Sequence, residues 1–99
     1  MPNAHETYRA AVDGLVAGNA SIRNRLVQAL DTLSALQFND MPEDLRPDFK
    51  RMWNLINALT DPTGRGPIVA FVNSLSEEQA GQFALGILRT HEELNRRRS

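Results

Sequence analysis

The feature that most constrains this chain is the helical spacing of its apolar residues. Between residues 45 and 59, apolar side chains recur at spacings of four, three, four and three. At about 100° per residue, this spacing places them on one narrow face of a helix. No long segment alternates apolar and polar residues as a strand would. The stripe consists of Leu45, Phe49, Met52, Ile56 and Leu59. The pattern predicts an all-α fold, a compact single-domain bundle of four main helices plus one or two short helical turns.

Helix-capping residues indicate where these helices begin and end. Gly18 is placed to end the first helix as a left-handed cap. Asn19 or Ser21 can cap the second helix. Ser76 and Gln79 form a capping box ahead of the last helix. The predicted main helices run from about 3 to 17, from 22 to about 37, through the region after Pro47 to 59, and from 77 to the arginines at 96–98.

Two prolines interrupt the segment between the second and third helices. Asp40 followed by Glu43 resembles a capping arrangement, with Pro42 in the first turn. Pro47 lies too deep to share that turn. We therefore predict a short turn at 42–45 and then a break before the third helix. A further short helix is predicted from Pro67.

The composition is that of one globular domain without an evident anchor or leader. The chain has 99 residues, 41% hydrophobic and 23% charged, and no cysteine. No apolar run approaches the ~18 residues that span a bilayer, and the first residues lack a secretory pattern. We predict a cytoplasmic domain covering residues 1–99, frayed at 1–3 and 96–99, without membrane contact.

The glycine-rich stretch "LTDPTGRGPIVAF" is a candidate for either a phosphate-binding loop or a hinge. Its glycines, Gly64 and Gly66, are only two residues apart, no lysine follows them, and the preceding segment reads as a helix. A phosphate loop of the Walker type requires a different spacing and a strand. An anion contact at Arg65 and Gly66 stays possible at the start of the next helix. The composition favours a hinge between two helices.

Catalytic and metal-binding patterns are weak in this sequence. His91 falls by helical phase on the apolar stripe of the last helix, where it is either a core or edge histidine or the centre of a ligand-binding or catalytic site. The zinc motif H-E-x-x-H and the nucleophile elbow G-x-S-x-G are absent. We therefore predict a non-enzymatic protein with no cofactor and no metal, and a His91-centred site as the weakest alternative.

Nucleic-acid binding is the runner-up interpretation. The formal net charge is −1, so the chain lacks the basic excess that phosphate neutralisation usually requires. A helix-turn-helix drawn around Ser76 would present two carboxylates to DNA. The remaining candidates for nucleic-acid contact are Arg96, Arg97 and Arg98 with other surface arginines.

Surplus apolar surface favours a protein partner. On the last helix Gly81, Leu85 and Leu88 form a second strip beside the main apolar face. Small residues allow another backbone to approach closely, and Trp53 is a residue type favoured at interface hot spots. The alternative is that the wide face is simply buried in the bundle. We predict that these four residues mediate docking to another protein or self-association, with a homodimer as the expected assembly.

Part of the chain resembles a pattern in short uncharacterised bacterial proteins. The resemblance rests on "MPEDLRPDF", then "LT" before a glycine-containing loop, then "SLSEEQA" before the final helix, and covers roughly residues 22–94. These residues are helix caps and core positions. The resemblance implies a helical single domain of bacterial or phage origin, and it implies no activity or functional residue.

Overall fold

The apolar stripes form five α-helices in a computed structural model that describes residues 3–58, 64 and 66–97. Two 3₁₀ turns, Phe38–Asp40 and Glu43–Leu45, precede the third helix. No strand occurs in the described residues, and the prediction of an all-α domain is confirmed. The helices are α1 (Ala4–Ala17), α2 (Ile22–Leu33), α3 (Arg46–Asn57), α4 (Pro67–Asn73) and α5 (Glu77–Arg96).

The predicted capping box at the start of α5 is present. The Gln79 amide donates to Ser76 Oγ over 3.1 Å, and the Ser76 amide donates to Gln79 Oε1 over 2.9 Å. Ser21, not Asn19, caps α2 by accepting a hydrogen bond from the Asn24 amide. These side chains bond to amides that have no partner inside the helix, which fixes where each helix begins.

The predicted left-handed cap at Gly18 is wrong. Gly18 is extended, with φ −77° and ψ 148°. Arg25 explains the difference, because its guanidinium group donates to the carbonyls of Leu15 (2.7 Å) and Ala20 (2.9 Å). In a left-handed glycine cap, backbone amides that follow the helix donate to its last carbonyls. Here a side chain of α2 donates to one of these carbonyls instead.

The second helix also ends earlier than predicted, at Leu33 rather than Gln37. Ser34 Oγ donates to the Asp31 carbonyl over 2.5 Å, and local bonds of this kind compete with helix continuation. Asp40 does not cap a helix together with Glu43. Its carboxylate accepts a hydrogen bond from the Gln37 amide over 2.8 Å and so closes the first 3₁₀ turn.

The prolines lie where the chain changes from one helix type to another. The predicted short turn is the 3₁₀ turn Glu43–Leu45, and α3 follows it directly at Arg46, with Pro47 in its first turn. A proline is tolerated there because the first amides of a helix have no intrahelical acceptor. The predicted end of this helix, Leu59, lies outside the described residues.

The core lies between α1, α2 and α5 and extends to α3 and α4. Helix α1 packs on α2 and α5, α2 also contacts α4 and α5, and α3 contacts α4 and both 3₁₀ turns. No polar or charged side chain is fully buried among the described residues. Hydrophobic burial is therefore the main stabilising contribution in this core. Its most completely buried large side chains are Leu26, Leu30, Leu33, Met41, Ile56 and Val72.

Polar contacts fasten both ends of α5 to the bundle. Arg23 donates two hydrogen bonds to the Leu75 carbonyl, just before α5 begins. Near its C-terminus, Arg97 forms a bidentate ion pair with Asp44. Residues 1–3 and 96–99 were expected to fray. Within them, Asn3 caps α1, Arg96 is the last residue of α5 and Arg97 is its C-terminal capping residue. Residues 1, 2, 98 and 99 lie outside the described residues. In the part of the chain that the structure describes, every helix is too short or too polar to cross a bilayer.

Candidate interaction surfaces

The four residues predicted to bind a partner lie on two separate surfaces. Gly81 and Leu85 are exposed on α5, Leu88 is half-buried beside them, and we call these three residues the α5 edge. Trp53 lies on α3 and is half-buried against the core. The cavity that Trp53 lines contains no α5 residue among the described ones. The structure therefore does not bring Trp53 and the α5 edge together as one strip.

No close contact among the described residues requires a glycine at position 81 of the α5 edge. A Cβ atom added at Gly81 would meet no atom within 4 Å, and the same holds for Gly86. Glycine in a helix interior is less favourable than alanine by up to ~1 kcal/mol. Packing among the described residues therefore does not require glycine at either position.

Helix α1, which packs on α5, also carries an exposed valine. His5 of α1 contacts His91 and Asn95 of α5, which shows that the two helices run antiparallel. Val16 is eleven residues after His5, so it lies at the level of residues 80–84. Val16 is 64% exposed and Leu85 is 44% exposed. Each of α1 and α5 thus exposes one large aliphatic side chain to solvent.

A cavity of about 290 Å³ opens between α3 and the segment that follows α2. Phe38 is 45% exposed at this cavity, and the Trp53 ring packs edge-on against Phe49 with the ring centres 6.2 Å apart. We call this cavity the Trp53 groove. Its wall is mainly apolar and aromatic, with polar side chains at the rim. The lining residues are Ser34, Leu36, Phe38, Phe49, Lys50, Trp53 and Asn54.

The rim of the Trp53 groove is positively charged. Lys50 lines the groove, and the Arg46 guanidinium lies 5.7 Å from the centre of the Phe38 ring. Arg46 also donates to the carbonyls of Met41 (3.0 Å) and Asn39 (3.3 Å), which fixes its position. Neither cation pairs with a carboxylate in the described residues, and no acidic side chain lines the groove. The groove therefore attracts negative charge.

Sequence reasoning identified Trp53 in this groove but missed Phe38 and Lys50. Phe38 lies outside the helical stripes, in a 3₁₀ turn, so periodicity gave no information about it. One sequence feature does point to Phe38. It is a large aromatic residue in a polar, proline-containing segment, where it belongs to no apolar helix face. Such a residue must either fold back onto the core or remain exposed.

Two residues of the glycine-rich stretch before α4, Gly64 and Gly66, are described. Gly64 and Gly66 have φ values of 70° and 104°, in the region that favours glycine. Gly66 directly precedes α4, which begins with Pro67. Arg65, the predicted anion contact, lies outside the described residues. What is described of this loop fits a hinge.

His91 lies at the edge of the bundle, half-buried, with its ring centre 5.6 Å from that of His5. His5 Nε2 is also within 3.1 Å of Asn95 Oδ1. Among the described residues, no three metal-ligating side chains are grouped so that they could hold an ion. The arrangement provides two imidazole rings without the additional ligands of a typical metal centre.

Carboxylates neutralise the terminal arginines considered for nucleic-acid contact. Arg96 and Arg97 both form ion pairs with Glu93, and Arg97 also pairs with Asp44. Hydrogen bonding from Arg97 holds the pKa of the Asp44 carboxyl below its ordinary value. Arg98 lies outside the described residues. The charges of Arg96 and Arg97 are therefore already paired with carboxylates of this chain.

Comparisons with protein-family models, with curated proteins and with solved structures found no match to this chain.

Proposed function

We propose that this chain is a non-enzymatic protein-interaction module of the cytoplasm, which binds an apolar segment of another protein in the Trp53 groove. The observation that carries the proposal is the pairing of a half-exposed phenylalanine, Phe38, with the half-buried Trp53 around an open cavity of about 290 Å³. Aromatic side chains of this kind are enriched at the centres of protein interfaces.

The charge at the rim specifies the partner further. Lys50 and Arg46 lack carboxylate partners among the described residues, and the lining residues include no acid. A segment with acidic residues on either side of a bulky apolar side chain would complement both the wall and the rim. Charge complementarity of this kind raises association rates and excludes partners of the wrong sign.

Selection of short random peptides displayed on phage, with the immobilised protein as the target, tests this proposal. Selected sequences should carry an aromatic or branched aliphatic residue flanked by Asp or Glu. Phe38→Ser should weaken their binding about 30-fold, the effect of losing a hot spot of about 2 kcal/mol. Leu55→Ser is the matched control, because Leu55 is 54% exposed on α3 but does not line the groove.

Three outcomes would contradict the proposal. The first is a selection that yields no enriched sequence, and the second is an equal effect of the Phe38 and Leu55 variants. The third is salt-sensitive binding of a single-stranded oligonucleotide that requires Phe38 and Lys50, because bases also stack on aromatic rings beside cations. That result would establish the nucleic-acid alternative in place of a protein partner.

Self-association through the α5 edge is the second candidate function. Leu85 is exposed on α5, and Gly81, one turn before it on the same helix, leaves room for another backbone. Light scattering over a micromolar concentration series should show a dimer that Leu85→Glu dissociates. A monomer at all concentrations would contradict this second candidate and leave the Trp53 groove unaffected.

A further inference from the structure

A second cavity lies between α3 and α5, with Tyr8 of α1 in its wall. Its volume is about 250 Å³, and we call it the Tyr8 cleft. A smaller cavity of about 60 Å³ adjoins it, and Tyr8, Met52 and Thr90 line both. The lining residues of the larger cavity are Tyr8, Met52, Gln82, Phe83, Gly86, Ile87 and Thr90.

The Tyr8 hydroxyl group is the unusual feature of this cleft. Tyr8 is only 3% exposed, yet its hydroxyl has no hydrogen-bond partner in the part of the chain that the structure describes. The hydroxyl oxygen itself still reaches solvent, because no fully buried side-chain oxygen or nitrogen among the described residues lacks a hydrogen-bond partner. Because Tyr8 lines both cavities, this hydroxyl is available to a molecule that enters the cleft.

The other residues that line the cleft limit the polarity, charge and size of a molecule that can bind there. Ile87, Phe83 and Met52 supply apolar surface, and none of the seven lining residues is charged. A charged ligand would therefore lose hydration without gaining an ion pair. The volume exceeds the roughly 150 Å³ of an engineered apolar cavity that admits benzene. It therefore accommodates one or two rings.

We propose that the Tyr8 cleft binds a neutral, mainly apolar small molecule of one or two rings, whose carbonyl oxygen accepts a hydrogen bond from the Tyr8 hydroxyl group. This site is independent of the Trp53 groove and of the function proposed for that groove. Burial raises the pKa of Tyr8 to about 12, so the hydroxyl keeps its proton at neutral pH and can donate. Gln82 and Gly86, both exposed, lie at the mouth of the cleft.

Three simple aromatic probes separate the contributions of ring, carbonyl and charge. Acetophenone carries a ring and a carbonyl group, isopropylbenzene has a similar shape without the carbonyl, and benzoate is charged. Binding is followed by amide chemical-shift changes at Gly86 and Thr90 in NMR titrations of the full chain. Acetophenone should bind best, and benzoate should shift neither resonance.

Three variants test the assignment. Tyr8→Phe should weaken acetophenone about fivefold, the effect of one hydrogen bond, and leave isopropylbenzene unchanged. Gly86→Leu should block both neutral probes, because a side chain there projects into free space at the cleft. Gly81→Leu is the matched control, since it is equally open on the same helix but does not line the cleft.

The proposal fails if acetophenone leaves Gly86 and Thr90 unshifted, or if benzoate binds as well as acetophenone. Equal effects of Gly86→Leu and Gly81→Leu would also overturn it, because they would place binding elsewhere. If Tyr8→Phe weakened the two neutral probes equally, the hydrogen bond would be excluded. Far-ultraviolet circular dichroism of each variant establishes that the fold is retained.

Discussion

The guanidinium group of Arg46 lies 5.7 Å from the centre of the Phe38 ring, where a cation and an aromatic face attract each other. Arg46 is also held by hydrogen bonds to two backbone carbonyls, so it is a fixed point at the start of α3. This contact holds an exposed aromatic ring beside the Trp53 groove instead of against the core. The same contact adds positive charge to the rim.

Reversing the charge at the rim should reverse the groove's preference among peptides. Lys50→Glu places a carboxylate in the lining, so peptides with acidic flanks should bind about tenfold more weakly and peptides with basic flanks more tightly. Arg51→Glu is the control, because Arg51 already pairs with Asp48 and does not line the groove. Fluorescence anisotropy of labelled peptides at low salt measures both effects. An unchanged ranking in Lys50→Glu would show that rim charge does not select the partner.

Stability should fall in strong alkali because of Tyr8. Its pKa is about 12 in the folded chain against an ordinary value of 10.0. Below pH 10 the hydroxyl is neutral in both states. Between about pH 10 and 12 the unfolded chain loses this proton while the folded chain keeps it. The free energy of unfolding should then decrease by about 1.4 kcal/mol per pH unit, about 3 kcal/mol in total.

Tyr8 is the only tyrosine, so absorbance near 295 nm reports its ionisation directly. Denaturant unfolding across the same pH range measures the loss of stability, and Tyr8→Phe should remove that part of the slope. A native-state titration centred at pH 10 would contradict the burial of this hydroxyl.

The ion pair between Arg97 and Asp44 should stabilise the fold most at neutral pH and low salt. The pKa of Asp44 is lowered, chiefly by the hydrogen bond from Arg97. Its contribution is therefore present above the ordinary Asp pKa and is lost as pH falls through the lower folded-state value. Asp44→Asn should lower Tm slightly near pH 7, and the difference should disappear at about pH 2 and shrink in high salt. Asp13→Asn, an exposed aspartate without an ion pair among the described residues, should change Tm less.

The capping box of α5 should contribute measurably to stability. Ser76→Ala leaves the Gln79 amide without its acceptor and should cost about 1 kcal/mol, whereas Ser76→Gly should cost only a few tenths. For a domain of this size, the alanine variant should melt about 4–8 °C lower than the native chain. An alanine variant that melts at the same temperature as the native chain would mean that the box is not formed in solution.

The features of the fold that the sequence predicts are those that depend on residues close to one another in the chain. Apolar spacing located α1, α3 and α5, and Ser76 with Gln79 marked a helix start, because these signals depend on neighbours within one or two turns. The end of α1 was wrong because Arg25, seven residues beyond Gly18, supplies the hydrogen bonds to the carbonyls of Leu15 and Ala20. Such a contact depends on how two helices cross, which no local pattern reports.

The candidate sites were less predictable for the same reason. Trp53 was identified by residue type alone. Lys50 lies one turn before it on the same helix, whereas Phe38 belongs to a 3₁₀ turn that only tertiary packing brings beside α3. The position of Tyr8 in a cleft is equally invisible in the sequence, because the cleft exists only when α3 and α5 are in place. The strip of Gly81, Leu85 and Leu88 lies on α5 as predicted, whereas Trp53 lines a cavity with no described α5 residue in its wall, a separation that helical phase alone does not report.

Trp53 is the only tryptophan, so its emission tests the central claim without a label. The measurement is a fluorescence titration with the strongest phage-selected peptide, lacking tryptophan, and with a version whose acidic flanks are replaced by lysine. The account predicts a saturable change in emission with the acidic peptide, and binding of the lysine version at least about tenfold weaker. Tight binding that leaves Trp53 emission unchanged, or equal affinity for both peptides, would contradict a partner site in the Trp53 groove.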